Sequence, residues 1–255
     1  MSSSGEAWWV AAFRDEYVDV YPHRDLASAR VEVAWLVEHG VGGRTLDLCC
    51  GFGRHTLALV ERGIDVYGMD LSWELLVRAR ELPNGERLDG RLTRGDAQRL
   101  PYRDAGFGTV VNLFSSFGYF GDEGDRRMLD EIVRVLANDG LLVMDTMNPA
   151  RIRANLVPHS NSKRGALVLD EERSLADGGR RVEKTVKIVH PDGRTRSWLE
   201  SVRMYEVDEL AELLRERGLN VTHVDGGFAG ENRGPGAPRQ IVRARRTRYH
   251  PSKPL

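Results

Sequence analysis

Three aspartates stand at the ends of successive apolar runs in the first half of the chain, and a glycine pair follows the first of them. Asp47 precedes the glycines in residues 46–55 (LDLCCGFGRH), Asp70 ends the segment GMD, and Asp96 lies in GDAQRLPY. A glycine-rich turn between a strand and a helix lets a ligand approach the backbone and presents helix N-terminal N–H groups to it. The pattern therefore predicts a nucleotide-like ligand, with carboxylates that can accept hydrogen bonds from its polar groups.

Two kinds of nucleotide-like ligand are compatible with the glycine stretch. A dinucleotide site requires G-x-G-x-x-G and an acidic residue about twenty positions further on. Gly51 and Gly53 fill the first two positions and Asp70 the acidic one, but Thr56 stands where the third small residue belongs. A carboxylate at Asp47 would repel a nearby pyrophosphate and attract a cationic ligand. A cationic nucleotide-like ligand is therefore favoured over a dinucleotide.

The composition is that of a globular protein without a strong net charge. The 255 residues contain 37 Lys and Arg against 38 Asp and Glu, a formal net charge of -1. We therefore expect neither a nucleic acid nor a membrane as partner. The absence of a leader pattern and of a bilayer-length apolar run predicts a cytoplasmic location. Cys49 and Cys50 are the only cysteines and lack further ligands at metal spacing, so we predict no metal.

The alternation of apolar runs with helical periodicity predicts the elements that position these residues. It is typical of an α/β fold with a doubly wound, mostly parallel sheet joined by crossover helices. Strands are predicted at residues 44–49, 65–70, 91–96, 109–114, 141–146, 219–225 and 240–245. Helices are predicted at residues 29–38, 56–62, 72–81, 125–137 and 208–217. Further strands at residues 166–173, 180–190 and 194–205, separated by the turns ADGG and PDG, predict an inserted antiparallel β meander.

The glycine stretch resembles the first motif of the class I S-adenosylmethionine-dependent methyltransferases, acidic-x-Gly-x-Gly-x-Gly. Asp47, Cys49, Gly51 and Gly53 fill its four positions, with cysteine in place of the first glycine. The segments GMDLS, GDAQRLPY and VVNLFSSFGYF follow in the order of the family's later motifs. The resemblance implies a seven-stranded Rossmann-like sheet, S-adenosyl-L-methionine as cofactor and S-adenosyl-L-homocysteine as product.

The same resemblance assigns cofactor contacts to the residues at the strand ends. Asp70 would accept the two ribose hydroxyls and Leu71 would pack against adenine. Asp96 and the backbone of Ala97 would contact the adenine edge. The other residues that the resemblance places at the cofactor are Asp47, Cys49 through its backbone, Gly51, Gly53, Arg54, Asn112, Leu113, Phe114, Tyr21 and Arg24.

The segments YVDVYPHRD and NLFSSFGYF and the inserted meander look like those of bacterial small-molecule methyltransferases, including enzymes that N-methylate amino sugars and antibiotic precursors. In these the N-terminal segment closes over the cofactor, which implies a lid and places Tyr21 or Arg24 near the methionyl carboxylate. Tyr17, Tyr21 and Tyr119 are the catalytic candidates. An equally open interpretation makes the tyrosine pair a helix-docking contact and the aromatic cluster at residues 114–120 ordinary core.

The resemblance divides the chain into four regions. These are an N-terminal helical lid (residues 1–40), a cofactor-binding core (41–149 and 206–247), an inserted β subdomain (150–205) and a basic tail (248–255). The inserted subdomain would be either a substrate cover or the surface of a homo-oligomer.

The predicted function is methyl transfer to a small-molecule acceptor. Nitrogen is preferred to oxygen as the acceptor atom because a hydroxyl needs a positioned base, and none stands out in the sequence. Two alternatives stay open. They are an NAD-dependent Rossmann oxidoreductase, which would share the glycines and Asp70, and a non-catalytic S-adenosylmethionine-binding protein.

Overall fold

Two β-sheets organise the chain in the computed structural model, which describes residues 7–247. The strands are β1 (Arg44–Leu48), β2 (Asp65–Asp70), β3 (Leu92–Arg94), β4 (Phe107–Asn112), β5 (Leu136–Thr146), β6 (His159–Arg164), β7 (Leu167–Ala176), β8 (Arg181–Val189), β9 (Thr195–Arg203), β10 (Leu219–Asp225) and β11 (Gln240–Arg246). The helices are α1 (Trp8–Ala12), α2 (Tyr17–Val20), α3 (Leu26–Glu38), α4 (Arg54–Glu61), α5 (Trp73–Arg78), α6 (Gly121–Val135), α7 (Pro149–Asn155) and α8 (Val207–Arg215).

The larger sheet has seven strands in the order β10-β11-β5-β4-β1-β2-β3. β1 to β5 run parallel to one another, and β11 runs antiparallel to both β5 and β10. The predicted doubly wound, mostly parallel sheet of seven strands is thereby confirmed. From β1 the chain first adds strands on one side, β2 and β3, and then on the other, β4 and β5. In such sheets ligands bind beyond the carboxyl ends of the strands where this reversal occurs.

Apolar side chains cover both faces of this sheet. Successive side chains of a strand point to opposite faces, so Val110 and Val111 of β4 belong to different core clusters. Val110 lies with α6 and α8, whereas Val111 lies with α3 and α4. Buried on both sides, the strand cannot shift its register without exposing apolar surface, which fixes the positions of the residues at its carboxyl end.

The inserted region forms a separate antiparallel sheet in the order β6-β7-β8-β9. The prediction of an antiparallel meander is confirmed. The sheet also contains the strand β6, which was not predicted because its sequence HSNSKR contains no apolar residue. The N-terminal segment packs on this sheet. Ala12 and Val20 lie in one apolar cluster with Val186, Ile188 and Trp198.

The observed ends of several elements differ from those predicted. α4 begins at Arg54, two residues earlier than predicted, because Gly53 adopts a left-handed conformation with φ of 75° and ends the turn there. β5 begins at Leu136, within the predicted end of α6. α7 was not predicted; Pro149 occupies its first turn.

Among residues 7–247 no helix has the length and apolar character needed to cross a membrane. The same part of the chain contains no group of three His, Cys, Asp or Glu side chains arranged to hold a metal ion. The predicted basic tail, residues 248–255, and residues 1–6 lie outside the described residues.

Candidate active site

A cavity of about 470 Å³ lies beyond the carboxyl ends of the central strands, at the reversal of strand order. Asp47, Asp70 and Asp96 all line it, so the three aspartates predicted to converge do so. Its volume lies within the range of small-molecule sites, about 300–1,000 Å³. We call it the first cavity.

The turn after β1 gives this cavity a backbone wall. Cys49, Gly51 and Gly53 have φ values of 62°, 58° and 75°, so each adopts the left-handed conformation that favours glycine. Cys49 therefore takes a strained conformation at the position where the resembled motif has glycine. Burial raises the pKa values of Cys49 and Cys50 well above that of a free thiol, so both stay protonated. They are packing residues rather than nucleophiles.

Asp70 ties the glycine turn to the end of β2. Its Oδ2 accepts a hydrogen bond from the backbone N–H of Gly51 at 2.8 Å, and its Oδ1 accepts one from that of Ser72 at 2.8 Å. Burial raises the pKa of this carboxyl despite those two donors. A carboxylate has about four lone-pair sites, so the Asp70 carboxylate can accept a further hydrogen bond from a ligand in the cavity.

Asp47 is paired within the protein. Its side chain is 1% exposed, and its Oδ2 accepts a hydrogen bond from the hydroxyl of Thr56 at 2.6 Å. Burial raises the pKa of the Asp47 carboxyl. Thr56, which departs from the dinucleotide pattern, thus has a structural role that the sequence pattern did not reveal.

Asp96 and Ala97 line the first cavity at the far end of the sheet, after β3. Asp96 is exposed, and its Oδ1 accepts a hydrogen bond from the backbone N–H of Gln98 at 2.8 Å. Ala97 is buried, whereas the Asp96 carboxylate stays accessible to a ligand.

Two guanidinium groups lie against Phe114 in another part of the cavity wall. The Cζ atoms of Arg54 and Arg24 lie 4.2 and 5.3 Å from the centre of the Phe114 ring. Arg54 is 4% exposed and donates through Nη1 to Glu32 Oε2 at 3.0 Å, but its Nη2 has no hydrogen-bond partner among the described residues. Arg24 donates to the hydroxyl of Tyr17, and its Nε likewise has no partner there.

Donors that are buried without a partner cost free energy unless a ligand satisfies them. Arg54 and Arg24 both line the cavity, and Nη2 of Arg54 and Nε of Arg24 have no partner among the described residues, so this end of the cavity has the chemistry that suits a carboxylate or another anion. The aspartate side chains at the strand ends offer acceptors instead. The cavity thus fits a ligand with hydrogen-bond donors at one end and a negative group at the other.

Comparison with known proteins identifies the domain that carries this cavity. A methyltransferase domain family matches residues 45–140, which run from β1 to the start of β5. Residues 45–140 are a methyltransferase domain. The predicted resemblance to methyltransferases is thereby confirmed.

Relatives of the methyltransferase domain include enzymes that act on small molecules. Glycine/sarcosine N-methyltransferase from Aphanothece halophytica is 38% identical over 129 residues, which are 49% of this chain and 48% of that relative. The chain thus spans about half the length of this relative.

Solved structures share the fold over nearly the whole chain. The CcbJ methyltransferase from Streptomyces caelestis has a TM-score of 0.76 at 18% identity and covers 93% of this chain and 98% of its own. SAM-bound CalS10, an amino pentose methyltransferase from Micromonospora echinaspora, has a TM-score of 0.59 at 22% identity. The match covers 95% of this chain and 93% of the CalS10 chain. These likenesses show the class I methyltransferase fold, including the inserted region.

Thirteen of the sixteen site residues predicted from the sequence line the first cavity. They are Tyr17, Arg24, Asp47, Cys49, Gly51, Arg54, Asp70, Leu71, Asp96, Ala97, Leu113, Phe114 and Tyr119. The other three, Gly53, Asn112 and Tyr21, do not line it. Gly53 precedes α4 and packs under Leu88, and Asn112 is buried and donates through Nδ2 to the carbonyl of Leu48 at 3.1 Å.

Tyr21 lines a second cavity, of about 740 Å³, between the methyltransferase domain and the inserted sheet. Its hydroxyl donates to Glu200 Oε1 at 3.1 Å and accepts from Lys184. The two cavities share a wall formed by Phe13, Tyr17, Arg24, Phe114 and Tyr119. Groups held in the two cavities would therefore contact the same, mostly aromatic side chains.

The polar residues of the second cavity were missed from the sequence, although a signal exists. Lys184 shares a strand face with the buried Val186 and Ile188, and Glu200 shares one with the buried Trp198. The two charged residues are paired across β8 and β9. A charge of each sign at facing inward positions of an amphipathic hairpin would have pointed to this pair.

Burial raises the pKa values of the three tyrosines that were predicted to be catalytic, Tyr17, Tyr21 and Tyr119. Each therefore stays a neutral phenol near neutral pH. As neutral phenols they can donate hydrogen bonds and provide apolar surface, and none is a base.

Proposed function

We propose that the protein is an S-adenosylmethionine-dependent methyltransferase that acts on a small-molecule acceptor, with nitrogen as the favoured acceptor atom. One observation supports this above the others. Three strand-end aspartates and two guanidinium groups with free donors line the same cavity of a methyltransferase domain. Acceptors at one end and cations at the other match a nucleoside joined to an amino acid.

The residues present fit the cofactor from end to end. Asp70 would accept the ribose hydroxyls, and Leu71, Asp96 and Ala97 would surround the adenine. Arg54 and Arg24 would bind the methionyl carboxylate through the donors that have no partner among the described residues. Asp47 would add negative potential behind the sulfonium, because its carboxylate is buried at the edge of the cavity.

The bound cofactor supplies an activated methyl group, so the protein needs neither a covalent intermediate nor a metal ligand set. The task of its residues is to orient the acceptor, and correct orientation can remove roughly 7–11 kcal/mol of a reaction barrier. We assign the second cavity to the acceptor because it shares the wall of Tyr17, Phe114 and Tyr119 with the first. The aromatic wall would exclude water from the region between the two.

Nitrogen is favoured because the second cavity contains, among the described residues, no carboxylate free to act as a base. Glu200 is the only Asp or Glu of residues 7–247 that lines it, and it accepts hydrogen bonds from Tyr21 and from Trp198 Nε1 and pairs with Lys184 at 3.0 Å. A hydroxyl acceptor would find no free carboxylate there, and among the described residues the base nearest to that role is the imidazole of His23, whose pKa burial lowers. An amine that arrives neutral needs no base before the transfer.

The N-terminal segment and the inserted sheet would together cover the acceptor. α1 and α2 pack on the inserted sheet, and Tyr17 and Arg24 reach both cavities. We therefore keep the division into a covering segment at residues 1–40, a core and an inserted subdomain as part of the proposal. The presence of the second cavity favours an enzyme over a non-catalytic binding protein, because a protein that only binds the cofactor would need no space for an acceptor.

Calorimetric titration with S-adenosylhomocysteine and, separately, with NAD tests the proposal. We expect S-adenosylhomocysteine to bind with about one equivalent per chain and NAD to give no binding heat, because a diphosphate would face the Asp47 and Asp70 carboxylates. Heat with NAD alone would overturn the assignment. If S-adenosylhomocysteine binds, transfer of a labelled methyl group across panels of amines and phenols distinguishes nitrogen from oxygen acceptors.

A further inference from the structure

The second cavity is lined by more positive than negative side chains. Among the described residues five Lys or Arg line it, namely Arg24, Arg151, Arg173, Lys184 and Arg239, against the single carboxylate of Glu200. Burial lowers the pKa of His23, which also lines the cavity, so its imidazole adds no charge near neutral pH. The electrostatic balance then depends on which of these cations are neutralised within the protein.

Three of the five cations have carboxylate partners. Lys184 pairs with Glu200 at 3.0 Å, and Arg173 pairs with Glu171 at 2.9 Å. The third pair joins Arg239 Nε to the buried Asp145 at 2.6 Å. These pairs also occupy the carboxylates, so none of the three is open to bind a positively charged acceptor.

Arg24 and Arg151 remain without a carboxylate partner among residues 7–247. Arg24 faces both cavities and is already assigned to the methionyl carboxylate. Arg151 lies on α7, outside the first cavity, and donates through Nη1 to the carbonyl of Gly236 at 2.8 Å. Arg151 is exposed, so its guanidinium places at the solvent-facing rim of the second cavity one positive charge that neither a described carboxylate nor the cofactor pairs with.

We propose that the second cavity binds an acceptor that carries an oxyanion, a carboxylate or a phosphate, in addition to the nitrogen that is methylated. This inference rests on the proposed function, because it assigns the acceptor to the second cavity. Arg151 is the anchor for the oxyanion, since a guanidinium binds planar oxyanions through paired hydrogen bonds. Arg173, whose charge Glu171 neutralises, lies on β7 in the same cavity and donates to Ser160 at 2.9 Å, which places further N–H and O–H groups within the lining.

The test uses inorganic phosphate and acetate as probes of the protein saturated with S-adenosylhomocysteine. Calorimetry is carried out on the wild type, on Arg151→Gln and on the control Arg126→Gln, which removes an exposed arginine of α6 that pairs with Glu216 at 3.4 Å. We expect at least one anion to bind the wild type and the control equally, and to bind Arg151→Gln about tenfold more weakly. Stronger binding of phosphate indicates a phosphorylated acceptor, and stronger binding of acetate indicates a carboxylic acid.

Two results would overturn the inference. One is that neither anion binds the wild type, and the other is that Arg151→Gln binds both anions as well as the wild type does. Because Arg151 does not line the first cavity, its substitution should leave the affinity for S-adenosylhomocysteine unchanged. If the wild type does not bind S-adenosylhomocysteine, the proposed function fails. Failure of the proposed function is therefore distinguishable from failure of this inference.

Discussion

At the scale of single residues, Asp70 combines two tasks in one carboxylate. Each of its oxygens accepts a hydrogen bond from a backbone N–H of the cavity wall, from Gly51 or from Ser72, and the carboxylate keeps acceptor capacity for a ligand in the cavity. The residue therefore both shapes the site and would bind the ribose. Substitution of Asp70 should therefore weaken ligand binding through the loss of both roles.

Asp70→Ala should weaken the binding of S-adenosylhomocysteine by about 1.5–3 kcal/mol, the cost of losing hydrogen bonds to a charged group. Calorimetry measures this loss. Asp89→Ala is the matched control, since Asp89 is an exposed aspartate that pairs with Arg80 and does not line the cavity. Equal affinities of Asp70→Ala and the wild type would show that the ribose is held elsewhere.

The raised pKa of Asp47 predicts a pH dependence of the free energy of unfolding. Burial raises the pKa of its carboxyl above the ordinary 3.8, so the folded protein binds more protons than the unfolded chain just above that value. This group's contribution to the free energy of unfolding is therefore lost as pH rises through the folded-state pKa. Asp47→Asn removes the titrating group and keeps an oxygen that can accept the Thr56 hydrogen bond.

We therefore expect the stability of Asp47→Asn relative to the wild type to increase as pH rises from about 4 towards the folded-state pKa of Asp47. Urea denaturation of the protein without ligand, at several pH values, measures the difference. A difference that stays constant across this range would show that Asp47 does not titrate abnormally.

At the scale of elements, the junction between the glycine turn and α4 depends on one backbone conformation. Gly53 has φ of 75°, and a Cβ there would lie 3.1 Å from Leu88 Cδ1. Gly63, after α4, has a similar φ of 78°, but a Cβ at that residue would meet no atom of the described residues within 4 Å. The two glycines therefore differ in packing and share their backbone strain.

Gly53→Ala should lower the free energy of unfolding by more than Gly63→Ala does. The left-handed conformation alone costs an alanine roughly 1–2 kcal/mol at either position, and the contact with Leu88 adds to that cost at residue 53 only. Urea denaturation of both variants gives the comparison. Equal losses would mean that Leu88 moves away without cost.

The contact between α2 and the inserted sheet makes another element-scale prediction. Tyr21→Phe removes the hydroxyl that joins Glu200 and Lys184, and loss of such a hydrogen bond costs about 0.5–1.5 kcal/mol. We expect reduced turnover with an unchanged affinity for S-adenosylhomocysteine, because Tyr21 lines the second cavity and not the first. Steady-state kinetics and calorimetry check the two parts. Wild-type turnover would exclude Tyr21 from the acceptor site, and reduced cofactor affinity would place it at the first.

Several elements of the core were predictable because local signals mark where they begin. β2 and β10 occupy the ranges predicted for them, residues 65–70 and 219–225, and each follows a glycine with positive φ that ends the preceding helix, Gly63 or Gly218. β6 was not predictable in this way, because its side chains are polar and its pairing with β7 supplies its stability. The inserted region therefore gained a strand that no local pattern indicates.

The first cavity was also predictable in large part, because the carboxyl ends of parallel strands meet at one edge of the sheet. Asp47, Asp70 and Asp96 could be placed there from their positions alone. The partner of Asp47 could not, since nothing in the sequence relates its carboxylate to the hydroxyl of Thr56. The cations of the second cavity, such as Arg151, come from segments far apart in the chain and meet only through tertiary packing.

At the scale of the whole molecule, two cavities meet at a shared aromatic wall. One is built by the strand ends of the methyltransferase domain, the other is completed by the inserted sheet, and the N-terminal segment lines both. The division separates tasks: the strand ends of the larger sheet would hold the cofactor, whereas the inserted sheet would select the acceptor. A methyl group would pass between them near Phe114 and Tyr119, which line both cavities.

A crystal structure of the protein with S-adenosylhomocysteine tests the central claim most directly. We predict that the ribose hydroxyls lie within hydrogen-bonding distance of the Asp70 carboxylate, that adenine lies against Leu71 and Ala97, and that the free donors of Arg54 and Arg24 bind the amino-acid carboxylate. A ligand bound outside the first cavity, or one bound there with its carboxylate turned away from both arginines, would contradict the account.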